Sequence, residues 1–292
     1  MYIALRIIIL TALIIFSTYV SSLGAVKVIG PQKASDASHD YFVSILKMAL
    51  EKSNSTSAIT VIPHSGQGLV LKLLATSDLY DVVWTGVSKE KDVLLYRVPI
   101  PLFKGGLGLR GLVIRKDAKD TFKTISDTVE LSQYIACQGR HWPDADILKH
   151  AGLTVQLVSN FDSMLQMLEL KRCDYLPLSI FEGRAELAAV KDRFPMLMFN
   201  EKLIISYPIS MNFYVKKSNV ELAVVLEEGL QKLMETGEFE QHMKEHSLTK
   251  NGFPLERLSN AIKIEIKNND INQETLNELD TYGFKWSHQK TL

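Results

Sequence analysis

The sequence predicts a two-lobed α/β protein in which each lobe holds a mixed, mainly parallel sheet flanked by helices. Strand and helix patterns alternate along the chain, which is typical of parallel sheets with helical crossovers. Two apolar, proline-containing runs, residues 96–117 and 205–221, carry basic residues near their ends and bracket the middle of the chain. A chain that leaves one lobe and later returns to it needs two such crossover strands.

Length and composition fit two globular cores. The chain has 292 residues, of which 46% are hydrophobic and 23% charged, enough for two lobes. Its 33 Lys and Arg residues balance 33 Asp and Glu residues. This zero net charge indicates neither a nucleic acid nor an anionic membrane surface as partner.

Residues 1–24 have the pattern of a cleaved signal peptide. A short basic start is followed by an apolar run over 7–16 and then by the small residues Ser22 and Gly24. A membrane anchor is the alternative, but the run is shorter than the roughly 20 residues that a bilayer-spanning helix needs. We therefore expect an exported protein that begins near Ala25.

The two cysteines, Cys137 and Cys173, would enter an oxidising compartment, where disulfides form. Cys137 falls at the end of one predicted strand and Cys173 at the start of another. If these strands are parallel neighbours, the thiols lie at opposite ends, beyond the roughly 7 Å between Cα atoms that a disulfide tolerates. We expect two free, buried thiols.

The first lobe is expected from residues 25–115 and 209–246. Its predicted strands cover residues 25–30, 59–63 and 81–84. Helical patterns separate them, so a parallel sheet should form with its ligand cleft beyond the carboxyl ends of the strands. The amphipathic pattern of 220–246 predicts a long helix that packs back on this lobe.

The second lobe is expected from residues 116–208 and repeats the alternation. Its predicted strands cover residues 134–138, 154–158 and 173–177. The remaining stretch, 247–292, is polar and rich in Asn, with one helical pattern over 273–280. We expect it to form a tail that packs on the first lobe.

Several motifs in order carry a resemblance to a known family. They are Val83-Trp84-Thr85 with Ser88, Arg97-Val98-Pro99-Ile100, Lys104 with Leu107-Gly108 and Arg110, Gln138-Gly139 with Trp142, Asp144, Ile147 and Leu148, and Met167-Leu168 with Arg172, Asp174-Tyr175, Pro177 and Glu182. With these the chain resembles the bacterial extracellular solute-binding proteins of family 3, the type II periplasmic binding proteins, over essentially all of its mature length. The resemblance implies their two-lobed fold, a periplasmic location and hinge closure on a small-molecule solute.

The departures from the amino-acid binders of that family bear on the ligand. Those proteins carry an Arg where Lys91 stands, and Lys lacks the fork that clamps a carboxylate. They place an Asp for the ligand ammonium where Ser179 stands. In the branch that this chain most resembles, an Arg usually occupies the position of Leu178. An amino-acid specificity therefore does not carry over.

The candidate ligand-binding residues lie at ends of predicted strands or beside the hinge. They are Trp84, Thr85, Arg97, Arg110, Gly139, Arg140, His141, Trp142, Tyr175, Ser179 and Glu182. The turn 139–142 joins a strand to a helix, where free N–H groups and the positive charge of Arg140 favour an anion; a plain turn with a solvated Arg is the alternative. Trp84 either stacks on ligand in the same cleft or belongs to the core.

Other candidates have structural alternatives. Arg97 and Arg110 flank the hinge, where each either contacts ligand or holds the lobes together. Tyr175 lies on a central strand and is favoured as a core residue. For Asp144 and Glu182 we favour a stabiliser of the first helical turn and a solvated side chain, respectively.

The sequence offers little for catalysis. Its seven histidines show no metal-ligand spacing apart from His242 and His246, which we interpret as solvated residues of the last helix. No GxSxG motif occurs, and Cys137 has no evident His base. We expect a monomeric binding protein without catalytic residues, cofactor or metal.

Two hypotheses for its role remain open. The captured solute is either delivered to a membrane permease of an ABC transporter or presented to a membrane sensor such as a kinase or cyclase. The physics of the cleft is the same in both, so the sequence does not separate them.

Overall fold

A computed structural model describes residues 24–31, 36–63 and 67–284. The signal peptide predicted for residues 1–24 lies outside these ranges, apart from Gly24. Within them, no helix combines the length and apolar character that crossing a bilayer requires.

The strands are β1 (Val26–Ile29), β2 (Ile59–Ile62), β3 (Val82–Gly86), β4 (Tyr96–Arg97), β5 (Leu109–Arg115), β6 (Ile135–Gly139), β7 (Thr154–Val158), β8 (Tyr175–Ser179), β9 (Leu197–Ser206), β10 (Met211–Val215) and β11 (Ile262–Glu265). The helices are α1 (Ala37–Lys52), α2 (Gln67–Thr76), α3 (Lys89–Leu94), α4 (Lys119–Thr124), α5 (Thr128–Leu131), α6 (Asp144–His150), α7 (Phe161–Glu169), α8 (Gly183–Ala188), α9 (Val220–Glu235), α10 (Glu238–Glu245) and α11 (Gln273–Tyr282).

Two separate sheets confirm the predicted two-lobed α/β architecture. The first has the order β2-β1-β3-β10-β4, in which β1 pairs in parallel with β2 and β3, and β10 runs antiparallel to β3 and β4. The second has the order β11-β9-β5-β8-β6-β7, in which β6 pairs in parallel with β7 and β8. In that sheet β5 runs antiparallel to both β8 and β9. Each lobe is therefore a mixed sheet covered by helices.

The two predicted crossovers form the hinge. The chain leaves the first sheet after β4 and enters the second at β5, and it returns between β9 and β10. The crossovers are bonded to each other, since Leu102 N donates to Met211 O at 2.8 Å and Tyr207 N to Gly108 O at 3.2 Å. A Cβ on Gly108 would lie 1.8 Å from Tyr207 O, so only glycine allows this close approach.

The lobe limits differ from the expected ones at two places. Strand β5 pairs within the second sheet, so the first lobe gives way to the hinge before residue 115. The tail adds β11 to the second sheet, beside β9, and then places α11 against the first lobe. It therefore contacts both lobes, whereas we expected it on the first lobe alone. Ile264 and Ile266 point to the same face of the sheet and are buried, whereas Lys263 and Glu265 between them are exposed. This burial holds the strand in place.

The expected return helix packs on the first lobe as two helices. Helix α9 begins at its cap Asn219 and lies against α1, where a Cβ on Gly229 would come within 1.9 Å of Ala49 O. The helix stops at Gly237, whose φ of +76° breaks the α-helical path before α10.

The expectation of free thiols is wrong. Cys137 and Cys173 form a disulfide with 5.7 Å between their Cα atoms. Cys137 is the third residue of β6 rather than its last, and Cys173 lies before the start of β8. Asp174 N donates to Ile135 O at 2.7 Å, which brings the segment before β8 across the start of β6. Cys137 on β6 thus meets Cys173 in the segment that leads into the neighbouring parallel strand β8.

Candidate ligand cleft

The cleft lies where the carboxyl ends of strands from both lobes meet. Strand β3 ends at Gly86 in the first lobe, and β6 and β8 end at Gly139 and Ser179 in the second. The lobes touch here, since a Cβ on Gly86 would lie 3.2 Å from Cγ of Pro143 at the start of α6. Ligands of α/β proteins bind beyond the carboxyl ends of strands, so this junction is the candidate site.

A group of ionisable side chains lies at this junction of the lobes. This cleft cluster consists of Lys91, Arg110, Asp144, Glu182 and Tyr207. Arg110 Nη2 lies 2.5 Å from Asp144 Oδ1, and Arg110 Nη1 lies 3.8 Å from Glu182 Oε2. The Tyr207 hydroxyl donates to Asp144 at 2.5 Å and accepts from Arg110 Nε at 3.2 Å. Both side chains of the Arg110–Asp144 pair are about 5% exposed, so the pair is almost fully buried.

Within the cleft cluster, burial and neighbouring charges shift the pKa values of Arg110 and Tyr207. Burial by itself would lower the pKa of Arg110, but Asp144, Tyr207 and Glu182 together outweigh this effect and raise the pKa. Burial also raises the pKa of the Tyr207 hydroxyl, which therefore stays protonated and can donate. A buried charge that loses its partner is costly, so a ligand that displaced one member would have to replace its charge.

Lys91 is the member of the cleft cluster from the first lobe. Its Nζ donates to Gly86 O at 2.6 Å and forms no ion pair with any described residue. Burial lowers the pKa of Lys91 to about 8, and the nearby charge of Asp144 opposes this shift. The Lys91 amine is thus partly buried at the junction, and its hydrogen-bond partner is a carbonyl oxygen.

The wall of the first lobe carries aromatic residues beside a small cavity. A cavity of about 80 Å³ is lined by His39, Trp84 and Thr85, among others. Trp84 stacks on Phe42 with 5.2 Å between ring centroids and meets His39 edge-on at 5.6 Å. Thr85 is 4% exposed, and its hydroxyl finds no hydrogen-bond partner among the described residues. Trp84 is therefore both a core residue and a wall of the cavity.

The turn 139–142 offers fewer free donors than its sequence suggests. Arg140 N donates to Val158 O at 2.9 Å and Trp142 N to Gly139 O at 3.0 Å, so two of its N–H groups are occupied. The Arg140 and His141 side chains are exposed. The Trp142 ring covers Gly139, where a Cβ would lie 2.6 Å from the ring.

Two other candidates, Arg97 and Ser179, already have protein partners, and a third, Tyr175, lies in the core. Arg97 pairs with Asp92 at 3.1 Å and with Glu278 of the tail, so it joins the tail to the first lobe. Tyr175 is fully buried in the second core. The Ser179 hydroxyl is fully buried too; it donates to Gly106 O and accepts from Phe181 N.

The structure changes the interpretation of the acidic residues and of two histidines. Asp144 does stand in the first turn of α6, but it is also buried against Arg110. The solvated reading of Glu182 is wrong, since its side chain is 16% exposed beside Arg110. His242 and His246 are half-buried rather than solvated, and His242 stacks on Tyr41 at 5.8 Å. No group of residues suited to hold a metal ion occurs in the described ranges.

Sequence reasoning missed Tyr207 and His39. Tyr207 directly precedes Pro208 in the second predicted crossover. The sequence therefore already placed it between the lobes, and this could have marked it as a candidate. His39 is the third residue of α1, and its ring Nε2 donates to Ile29 O at 2.9 Å. Nothing in the helical pattern distinguished it from a surface residue.

Comparison with known proteins shows the fold. No family model matches the sequence, and no curated protein matches it. An ancestral arginine-binding protein bound to arginine aligns with a TM-score of 0.56 and 15% identity over 76% of this chain and 97% of its own. A histidine kinase sensor domain with similarity to periplasmic binding proteins aligns with a TM-score of 0.59 and 15% identity. The alignment covers 76% of this chain and 95% of that domain.

A third solved structure agrees. An amino-acid ABC transporter substrate-binding protein from Streptococcus pneumoniae bound to L-arginine gives a TM-score of 0.58 and 13% identity, covering 78% of this chain and 95% of its own. The chain therefore has the two-lobed, type II periplasmic-binding-protein fold. About a quarter of it lies outside these alignments, although the neighbours are covered almost completely.

Proposed function

We propose that this chain is an exported solute-binding protein that captures a small polar or anionic solute between its lobes and delivers it to a membrane transporter. The observation that carries the proposal is the buried cleft cluster at the junction of the two lobes, where Lys91 of the first lobe faces Asp144 of the second. Solved proteins of the same fold bind small molecules and belong to ABC transporters, which supports uptake. Binding rather than catalysis is the activity that this site favours.

The cleft cluster favours an anionic group over an ammonium group. Lys91 Nζ meets only a carbonyl oxygen among its described partners, so a carboxylate or phosphate would gain its charge without breaking an ion pair. An ammonium would have to compete with Arg110 for Asp144 and Glu182. We propose therefore that the ligand is a carboxylated or phosphorylated solute without a free ammonium, with Arg140 and Trp84 as further contacts.

A ligand screen tests the proposal. A thermal-shift assay of the mature protein would compare organic acids, phosphorylated solutes and the twenty amino acids, because a ligand at 100 times its Kd stabilises by roughly 2.7 kcal/mol. We expect hits among the anions, with affinity at least tenfold weaker in Lys91→Met and unchanged in the exposed control Lys123→Met by calorimetry. Absence of any hit would contradict binding. Amino-acid binding that Asp144→Asn abolishes would contradict the ligand class.

A sensory role is the second candidate. The alignment with a histidine kinase sensor domain supports it, because that domain uses the same fold. Crosslinking of the liganded protein in its native membranes separates the two roles. A permease captured in a ligand-dependent way favours uptake, whereas a kinase or cyclase favours sensing.

A further inference from the structure

The tail crosses from the second lobe to the first. Strand β11 pairs in parallel with β9, with Ile262 opposite Leu203, and Ile266 N continues the pairing by donating to Ser206 O at 2.9 Å. Six residues later Asn272 caps the N-terminus of α11, which lies against the first lobe. Residues 266–272 are thus a third covalent connection between the lobes, besides the two crossovers of the hinge.

The end of the tail on the first lobe is held by a buried ion pair. Arg97 of β4 donates to Glu278 of α11, and the two side chains are 5% and 7% exposed. Asn272 Nδ2 donates to Asp92 Oδ2 at 3.2 Å, on α3 of the same lobe. Burial by itself would lower the pKa of Arg97, but the charges of Glu278 and Asp92 raise it, as expected for a tightly paired guanidinium.

The connecting segment runs over the junction of the lobes. Asn268 Nδ2 donates to Pro208 O of the second crossover at 3.0 Å. A cavity of about 200 Å³ lies beneath the segment, bounded by Glu90 of α3, Ile147 of α6 and Thr275 of α11. The segment therefore lies over one side of the junction between the lobes.

The length of the segment limits how far the lobes can separate. Six peptide units separate Ile266 from Asn272, and an extended chain spans at most about 3.6 Å per residue, or roughly 20 Å in all. While both ends stay docked, the two attachment points cannot move farther apart than this. A hinge that opens by rotation would reach that limit on this side first.

We propose that residues 266–272 form a strap that restricts opening of the two lobes, with α11 as its anchor on the first lobe. The strap goes beyond ligand capture and concerns the range of the hinge motion on which the proposed function rests. Lengthening the strap, or loosening its anchor, should let the unliganded protein open more widely.

Distances between spin labels on the two lobes test this without any ligand, so failure here is distinguishable from failure of the proposed function. Both native cysteines are held in the disulfide, so labels can be placed at Lys72→Cys on α2 and Ser159→Cys beyond β7, both exposed. The main variant inserts six Gly and Ser residues after Asn269, which leaves the pairing of β11 and the Arg97–Glu278 anchor in place but removes the limit on reach. The same insertion after Lys217, in an exposed turn of the first lobe, is the control.

We expect the strap insertion to broaden the distance distribution toward longer values, while the control insertion leaves it unchanged. Glu278→Gln should shift the distance distribution toward longer values as well. Glu274 also pairs with Arg97, but its side chain is 72% exposed, so Glu274→Gln should leave the distribution unchanged. Identical distributions in the native protein and the strap insertion would overturn the proposal. So would an equal broadening by both insertions.

Discussion

Arg110 connects the cleft to the hinge at the scale of single residues. It holds Asp144 by an ion pair, and Tyr207 bridges both side chains from the second crossover. Because these groups are almost dehydrated, each depends on the charge of the others. The same side chains that shape the cleft therefore also stabilise the fold.

Asp144→Asn should lower the free energy of unfolding by about 3–5 kcal/mol, because it leaves Arg110 as a buried charge with a weakened partner. Asp146→Asn is the matched control on the same helix, since its side chain is 67% exposed; we expect a change below about 0.5 kcal/mol. Urea unfolding measures both. Equal effects of the two substitutions would contradict the assignment of a buried pair.

Lys91 should make stability depend on alkaline pH. Its pKa is lowered from 10.5 to about 8, so between these values the unfolded chain binds a proton that the native protein does not. Stability should therefore rise with pH across this window, by on the order of 3 kcal/mol, while below pH 8 the cost of burying the charge is fully present. Unfolding followed from pH 7 to 10.5 should show that Lys91→Met removes this rise. A rise that persists in Lys91→Met would assign it to another group.

At the scale of elements, the disulfide joins β6 to the segment before β8. It closes a loop of 36 residues, for which loop-closure entropy predicts a stabilisation of about 4 kcal/mol. The double variant Cys137→Ser, Cys173→Ser should unfold at correspondingly lower urea concentration than the oxidised protein. The unsubstituted protein, denatured without a reducing agent, should show no reactive thiol in a thiol titration. Two reactive thiols would restore the prediction made from the sequence.

Sequence patterns predicted the elements better than their positions relative to each other. The alternation of strands and helices and the two crossovers are local patterns, and both lobes follow from them. The disulfide was missed because it depends on the register between β6 and the segment before β8. That register includes the hydrogen bond from Asp174 N to Ile135 O, which the local sequence of neither strand reveals. The alternation of Ile262, Ile264 and Ile266 was a signal for β11 that the polar composition of the tail concealed.

The site was predictable by residue but not by role. Arg110 and Glu182 were candidates because of their motifs, and the structure places them together with Asp144. Arg97, Tyr175 and Ser179 came from the same motifs and are bound to other parts of the protein. Which partner a charged side chain finds depends on contacts distant in sequence, and a motif does not encode those contacts.

At the scale of the whole molecule, capture of a solute between the lobes requires that the lobes move. The lobes meet at Gly86 and Pro143, and the hinge consists of two hydrogen-bonded crossovers. A solute that binds between the lobes has to enter an open form and stabilise a closed one. The tail adds a third connection, and the strap proposed above would limit how far the lobes open.

Small-angle X-ray scattering of the mature protein, with and without a saturating hit from the ligand screen, tests the central claim most directly. We expect the ligand to lower the radius of gyration, and Lys91→Met to need a higher ligand concentration to reach the same value. A ligand that binds with a radius of gyration unchanged, and with the same affinity in Lys91→Met, would contradict capture between the lobes.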